Sequence, residues 1–269
     1  MRTVTILQKC YGLYTNRGLK VIFRHLKRLC EGLEVTVHSV EQNQRGWVRV
    51  GLSGEDEEVF LSLLEKEFGL TLNSMESLVS GRVLRGKIVD SGSVGYGLYV
   101  DLGITQPAET DALVPLRVLR IQLANGQKVS LREIVRAFCL YDNLNLEVVL
   151  TEIDQDKSIV EAHLSDFQLS AFSEWENTYL ERLILVGATN SQVRNSISRS
   201  GHKRDVLRVE NLGVLENSVT CKLGTHARGL ITELGGLLDG VSFHVFLPRN
   251  ACILHGRDMT FIESEDVIQ

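Results

Sequence analysis

Long hydrophobic runs are missing from this chain: no stretch approaches the roughly 18 uninterrupted apolar residues that a membrane-spanning helix needs. Met1-Arg2 leads into the strand-like TVTIL rather than into the charged and apolar regions expected of a secretory leader. A cytoplasmic protein with no membrane partner is the expectation. Cysteines are few and poorly placed for chemistry. The five, Cys10, Cys30, Cys139, Cys221 and Cys252, are odd in number, far apart and free of any Cys-x-x-Cys pair. That argues against a disulfide framework and a zinc site, and for buried free thiols. Low-complexity tracts and long runs of like charge are absent too, so the chain is expected to fold nearly throughout. Catalytic signatures are also lacking: there is no G-x-S-x-G, no G-x-x-x-x-G-K-[ST], no H-E-x-x-H and no G-x-G-x-x-G after a strand. His38, His226, His244 and His255 are scattered without metal-ligand spacing, and structural roles are expected of them. The reading is of a protein that is not an enzyme and holds no cofactor and no metal.

What is there is a globular composition, 43% hydrophobic with a net charge of −5 over 269 residues. Single cores stop growing efficiently beyond about 250 residues, so two or three modules are expected. Residues 3–8 alternate as a strand, and 16–31 carry helical apolar spacing through Leu19, Ile22, Leu26 and Leu29. Residues 34–41 and 46–52 alternate as two strands, and 55–69 open with acids suited to a helix N-terminus and close at Gly69. This β-α-β-β-α order returns near the C-terminus: strand 182–187, helix 190–200, strands 204–211 and 217–223, helix 225–238 and strand 241–247. WVRVGLSGEDEEVFLSLLEKEFG beside SVTCKLGTHARGLITELGG suggests a distant internal repeat. Each unit would lay helices on one face of a small sheet, the ferredoxin-like α+β plan. Between them lie short strands, many glycines and one short helix near 130–138, with a further helix at 166–180. The expected chain is a multi-domain α+β protein: a ferredoxin-like unit over 1–75, a small β module over 77–165, and a linker helix with a second α+β unit over 166–269.

The middle module opens the functional question. Aromatics make up only 6% of the chain, yet GYGLYVDLG at 95–103 sets Tyr96 and Tyr99 three apart in a glycine-punctuated strand. RGKIVDSGSVGYGLYVDLG, then DALVPLRVL, then LEVVLTEIDQDKSIVEAHLS resemble the S-one-type OB domain, an RNA-binding barrel named after a large ribosomal protein. Gly86 stands where that family has a first-strand glycine, and Tyr96-Gly97-Leu98-Tyr99-Val100 where it has an aromatic-Gly-x-aromatic-Val second strand. Ala112-Leu113-Val114 matches its third strand, and Asp154 through Ser165 its closing hairpin with an acidic turn. Pro115 in place of a usual histidine and Glu161 near a usual arginine depart from the pattern. The resemblance covers about a third of the chain and implies a central five-stranded OB β-barrel flanked by the two ferredoxin-like βαββα units. The whole arrangement also resembles an uncharacterised archaeal family of unknown function, a likeness that carries no mechanism.

An OB barrel presents a sheet face on which bases of a single strand stack on aromatics while basic residues along the rim follow the phosphates. Tyr96 and Tyr99 are the candidate stacking platforms. Because side chains alternate with period two, residues three apart share a face only if Gly97 marks a bulge or the strand coils strongly. Arg85 and Lys87 on the first strand, and Arg117 and Arg120 just after the third, are candidate phosphate contacts. The first helix adds Arg17, Lys20, Arg24, Lys27 and Arg28 on the face opposite its apolar stripe. Arg199, Lys203 and Arg204 cluster around the end of the corresponding C-terminal helix. Positive charge is thus segregated within an acidic chain, which favours phosphate contacts at separated places. Gly224-Thr225-His226, between a strand and a helix, is a weaker anion-site candidate. The expected function is non-catalytic binding of ribosomal or single-stranded RNA near the translation machinery, with ribosomal proteins as further partners. A protein-interaction adaptor in an RNA-processing or transcription complex is the alternative. An undetected nuclease or transferase would need acids such as Asp101 and Asp111 to meet in a metal-binding cleft.

Overall fold

Apolar residues that alternate, then recur every three or four positions, then alternate again build sheets with helices on one side. The computed structural model, which describes residues 1–256, realises this plan twice. In the N-terminal unit β1 (Arg2–Lys9), β3 (Trp47–Gly54) and β2 (Val35–Gln42) form an antiparallel sheet in that order. α1 (Thr15–Leu29) and α2 (Glu57–Phe68) cover one face, where Ile22, Leu26, Phe60 and Leu64 join Ile6, Val48, Val50 and Leu52 in one core. Where a fourth strand would flank β1 there is a single bridge, Ile6 to Leu70, and Leu7 N–H donates to Gly69 C=O at 3.0 Å.

The second unit has all four strands. β9 (Arg182–Val186), α6 (Asn190–Arg199), β10 (Val206–Asn211), β11 (Glu216–Cys221), α7 (Ala227–Gly235) and β12 (Ser242–Phe246) give a ferredoxin-like sheet in the order β10-β11-β9-β12. Leu183 and Leu185 pack with Val193, Leu230 and Leu234 of the helices, while Ile184 and Val186 belong to the barrel's core. Covered on both faces, β9 reads as a continuous apolar run. Arg182 at its start is buried. Its Nη1 donates to Glu210 and Thr220, both at 2.9 Å, and its guanidinium lies 4.9 Å from the Trp175 ring.

The middle strands β4 (Val83–Val89), β5 (Gly97–Ile104), β6 (Thr110–Pro115), β7 (Asn145–Asp154) and β8 (Ile159–Leu164) close into a barrel ordered β4-β5-β6-β8-β7. Only the β6–β8 pairing is parallel. This is the OB order. Closure presses backbones together at Gly86, where a Cβ would sit 2.5 Å from the Asp101 carbonyl oxygen and 2.6 Å from Val100 Cγ1; only glycine fits so close an approach. Two helices, α3 (Leu116–Leu123) and α4 (Leu131–Phe138), lie in the β6–β7 connection, where one was expected. α3 starts directly after Pro115 and buries only Leu119 and Leu123, too short a repeat to stand out as periodicity. α5 (Asp166–Asn177) follows the barrel, and α8 (Pro248–Leu254), absent from the sequence reading, packs on α4 and α5. Its opening Pro248 occupies the one helical turn where a missing N–H costs nothing. Among the described residues no helix is long and apolar enough to cross a membrane.

Candidate nucleic-acid interface

The alternation rule does not bind Tyr96, because β5 begins one residue later. Leu98 and Val100 are fully buried in the barrel, which sends Tyr99 outward, half-buried. Tyr96 stands 57% exposed beside it. The two hydroxyls are 2.7 Å apart and the rings meet edge to face, centroids 6.3 Å apart at 85°. The bond to the Tyr96 hydroxyl, with a smaller contribution from burial, pushes the Tyr99 phenol up to about 12. The tyrosines therefore form one surface feature, and no bulge at Gly97 is needed to bring them together.

The same wall does not stay open. Lys87 and Asp101 face each other across β4 and β5, and both are fully buried. Lys87 Nζ donates to Glu216 Oε2 at 2.8 Å, and the Tyr11 hydroxyl donates to the other oxygen of that carboxylate. Burial and then Glu216 push the Tyr11 phenol far up and the Cys10 thiol to about 12. Asp101 accepts from Lys9 Nζ at 2.6 Å, Trp47 Nε1 at 3.0 Å and the Gly103 N–H at 2.8 Å, with Arg45 Nε at 3.2 Å. Arg45 Nη2 continues to Asp111, at 2.7 and 2.9 Å from its two oxygens. Burial lowers the Lys9 pKa against the pull of Asp101 and raises that of Asp111 against Arg45. Three cations and three carboxylates thus balance inside the joint between the barrel and its two neighbours, the arrangement in which buried charge is tolerated.

This joint corrects one sequence expectation and bears on one alternative. Lys87 is no phosphate contact, since it is sealed against Glu216. Asp101 and Asp111 do come together, but Arg45 lies between them where a metal ion would have to sit. Among the described residues no group of three His, Cys, Asp or Glu is arranged to hold a metal.

The remaining candidates fall into separate places. Arg85 and Arg117 are exposed but paired, with Glu147 at 2.9 Å and Glu161 at 2.7 Å; exposed pairs of this kind are weak, about 0–1 kcal/mol, and exchange partners readily. Arg17, Lys20, Arg24 and Arg28 are exposed along α1. Arg24 borders a cleft of about 540 Å³ that also includes Asn190 and Ser191 at the start of α6. That cleft joins the first helices of the two α+β units and reaches neither tyrosine. Arg199, Lys203 and Arg204 are exposed at the far end of α6. At Gly224-Thr225-His226 the chain supplies its own anion: a Glu181 oxygen accepts the Ala227 N–H at 2.8 Å, and the other lies 3.1 Å from His226 Nδ1. The helix end is occupied, and that candidate falls away.

A different site was not singled out from the sequence. A cleft of about 820 Å³ opens between the loop of residues 91–95, Arg120 of α3, and Arg132 and Arg136 of α4, and no acid lines it. α4 is fixed by a capping box in which Ser130 and Glu133 exchange hydrogen bonds, and it buries Leu131, Ile134, Val135 and Phe138. Arg132 and Arg136, four apart, share the opposite face. Their spacing was legible in SLREIVRAF; that the loop before Tyr96 folds over them was not.

The DUF2110 N-terminal domain matches residues 3–74, the DUF2110 central domain residues 78–176 and the DUF2110 C-terminal domain residues 180–246. No curated protein matches the chain. Among solved structures it is similar to the intact alpha subunit of aIF2 from Pyrococcus abyssi, at 10% identity over 64% of this chain and 98% of that one, with a TM-score of 0.25. A chain of the a/eIF2alpha-aDim2p-rRNA complex from Pyrococcus horikoshii OT3 is similar at 12% identity over 46% of this chain and 64% of that one, TM-score 0.25. A small protein of vaccinia virus (Wisconsin strain) is similar at 17% identity over 33% of this chain and 89% of that one, TM-score 0.22. Overlaps this partial say nothing about what the present chain binds.

Proposed function

The chain belongs to the DUF2110 family, and from its barrel we propose that it is a non-catalytic RNA-binding protein, with that barrel working as an S-one-type domain on a single strand. The observation that carries the reading is the Tyr96–Tyr99 pair. The fold seals Lys87 and Asp101 on the same wall yet leaves these two rings at the surface. An edge-to-face pair covers few of its own ring faces, so bases have somewhere to stack, each for about 1–3 kcal/mol. Exposed cations on α1 and around the end of α6, which have no carboxylate partner among the described residues, supply further phosphate contacts. Lys9 and Arg45 pair with Asp101 and Asp111 where these meet, which supports the non-catalytic reading. Work on or near the translation machinery is the finer part of the proposal and rests on the S-one-type resemblance.

Fluorescence anisotropy with a labelled single-stranded RNA tests it. Salt-dependent binding is expected, with Tyr96→Ala and Tyr99→Ala each weakening it about tenfold, the equivalent of about 1.4 kcal/mol. Charge reversal at Arg17, Lys20 and Arg24 together is expected to lower both RNA affinity and co-sedimentation with ribosomes. A full chain that shows no salt-dependent affinity for single-stranded RNA would end the proposal.

A further inference from the structure

We infer that the arginine cleft between the 91–95 loop and α4 holds the backbone phosphates of the RNA strand whose bases stack on Tyr96 and Tyr99; this rests on the proposed function and says where the strand runs. A space of about 820 Å³ lies within the range of clefts that enclose a ligand, about 300–1,000 Å³. Its polar character is one-sided: Arg120, Arg132 and Arg136 line it and no carboxylate does. Among the described residues Arg132 and Arg136 have no acidic partner, unlike Arg85 on β4 and Arg117 at the start of α3. Three acids adjoin lining residues in sequence, Asp90, Glu133 and Asp142; Asp90 is exposed beside Ser91, and the other two are engaged. Glu133 accepts from the Ser130 N–H and hydroxyl, each at 2.6 Å, and Asp142 accepts the Ser91 N–H at 2.8 Å. A guanidinium fork left without its own anion is suited to a phosphate oxygen pair.

The loop adds donors. Among the described residues the backbone amides of Gly92, Val94 and Gly95 donate to no group of the chain. A Cβ at Gly92 or Gly95 would meet nothing within 4 Å, so the space before them is open to a backbone passing close. The cleft also leads to the tyrosines. Gly95 directly precedes Tyr96, whose carbonyl accepts the N–H of Leu116, another lining residue, at 2.8 Å. In the other direction Arg136 and Tyr141 border a second cleft of about 550 Å³ that includes Arg228 of α7. Tyr141, stacked on His244 at 3.6 Å and 13°, stands where the two spaces meet. A strand entering at the tyrosines would thus pass four arginines on its way to the C-terminal unit.

The test measures binding of the full chain to a single-stranded RNA as a function of salt, with melting curves as the check of folding. Arg132→Ala combined with Arg136→Ala removes only exposed side chains. It is expected to lower affinity at least tenfold and to reduce the slope of log affinity against log salt by about 1.4, at about 0.7 per contact on a single strand. Ser93→Asp, which sets one negative charge in the cleft, is expected to weaken binding in the same direction. Tyr96→Ala is expected to weaken binding with the salt slope unchanged. If the unaltered chain binds no RNA, the proposed function itself fails. If Tyr96→Ala weakens binding while the double arginine variant and Ser93→Asp keep the original affinity and slope, the function stands and the cleft assignment is overturned. Inorganic phosphate and a mononucleotide serve as further probes. Should either shift the amide resonances of residues 91–95 without being displaced by the RNA, the cleft belongs to a small phosphate ligand and the inference is wrong.

Discussion

A phenol whose oxygen is bonded to another phenol gives up its proton reluctantly, and Tyr99 illustrates this at the scale of one residue. Its pKa rises from the ordinary 10.0 to about 12, first because of Tyr96. An acid raised in the folded state stabilises the fold below its unfolded value and loses that contribution as pH climbs through the folded one. The window here runs from pH 10.0 to about 12. Tyr96→Phe keeps a ring and removes the hydrogen bond. The expected outcome is a Tyr99 titration, followed by phenolate absorbance, that moves down toward the ordinary tyrosine value. An unmoved titration would mean that the two hydroxyls do not meet in solution. The residue pair itself was visible in GYGLYVDLG. Its shared surface was not, because the alternation rule applies within a strand and Tyr96 lies just outside one.

Between β4 and β5 the barrel closes on a contact that only a missing side chain permits. Gly86→Ala would place a methyl group 2.5 Å from backbone oxygen and 2.6 Å from Val100 Cγ1. Crowding of this kind costs about 1–3 kcal/mol, read as a lowered denaturation midpoint with an unchanged slope. Gly92→Ala in the neighbouring loop is the control, since a Cβ there meets nothing within 4 Å, and its midpoint is expected to stay near the original. Element types were readable where the apolar pattern runs long, as in α1, or alternates cleanly, as in β1. The short α3 and α8 were not: α3 marks its buried face with only Leu119 and Leu123, whereas α4, of the same length, was legible through Leu131, Ile134, Val135 and Phe138.

Three units held by a buried charge network make the whole molecule sensitive to the loss of one ion. Lys87→Met would leave the Glu216 carboxylate fully buried with, among the described residues, only the Tyr11 hydroxyl to satisfy it. Removing one partner of a buried pair costs about 3–5 kcal/mol. Urea unfolding of Lys87→Met should show a loss of that size, and adding Glu216→Gln should recover most of it, because the uncompensated charge is then gone. The double-mutant cycle isolates the coupling. A single variant that unfolds at the original midpoint would show the joint to be open to water. Tertiary packing also sorts the cations: α1 and α6 border one cleft, whereas Arg120, Arg132 and Arg136 border another beside the tyrosines.

From the sequence alone came the order of strands and helices, the OB likeness of the middle module, the free thiols and the segregation of basic residues. These follow from period and composition, which are local. What only the tertiary structure decided is the fate of residues that the pattern treats alike. Arg85 and Lys87 lie two apart on one face of β4, yet Arg85 is exposed and Lys87 is buried against Glu216. A strand's periodicity says which way a side chain points, whereas what arrives to cover it depends on segments more than a hundred residues away.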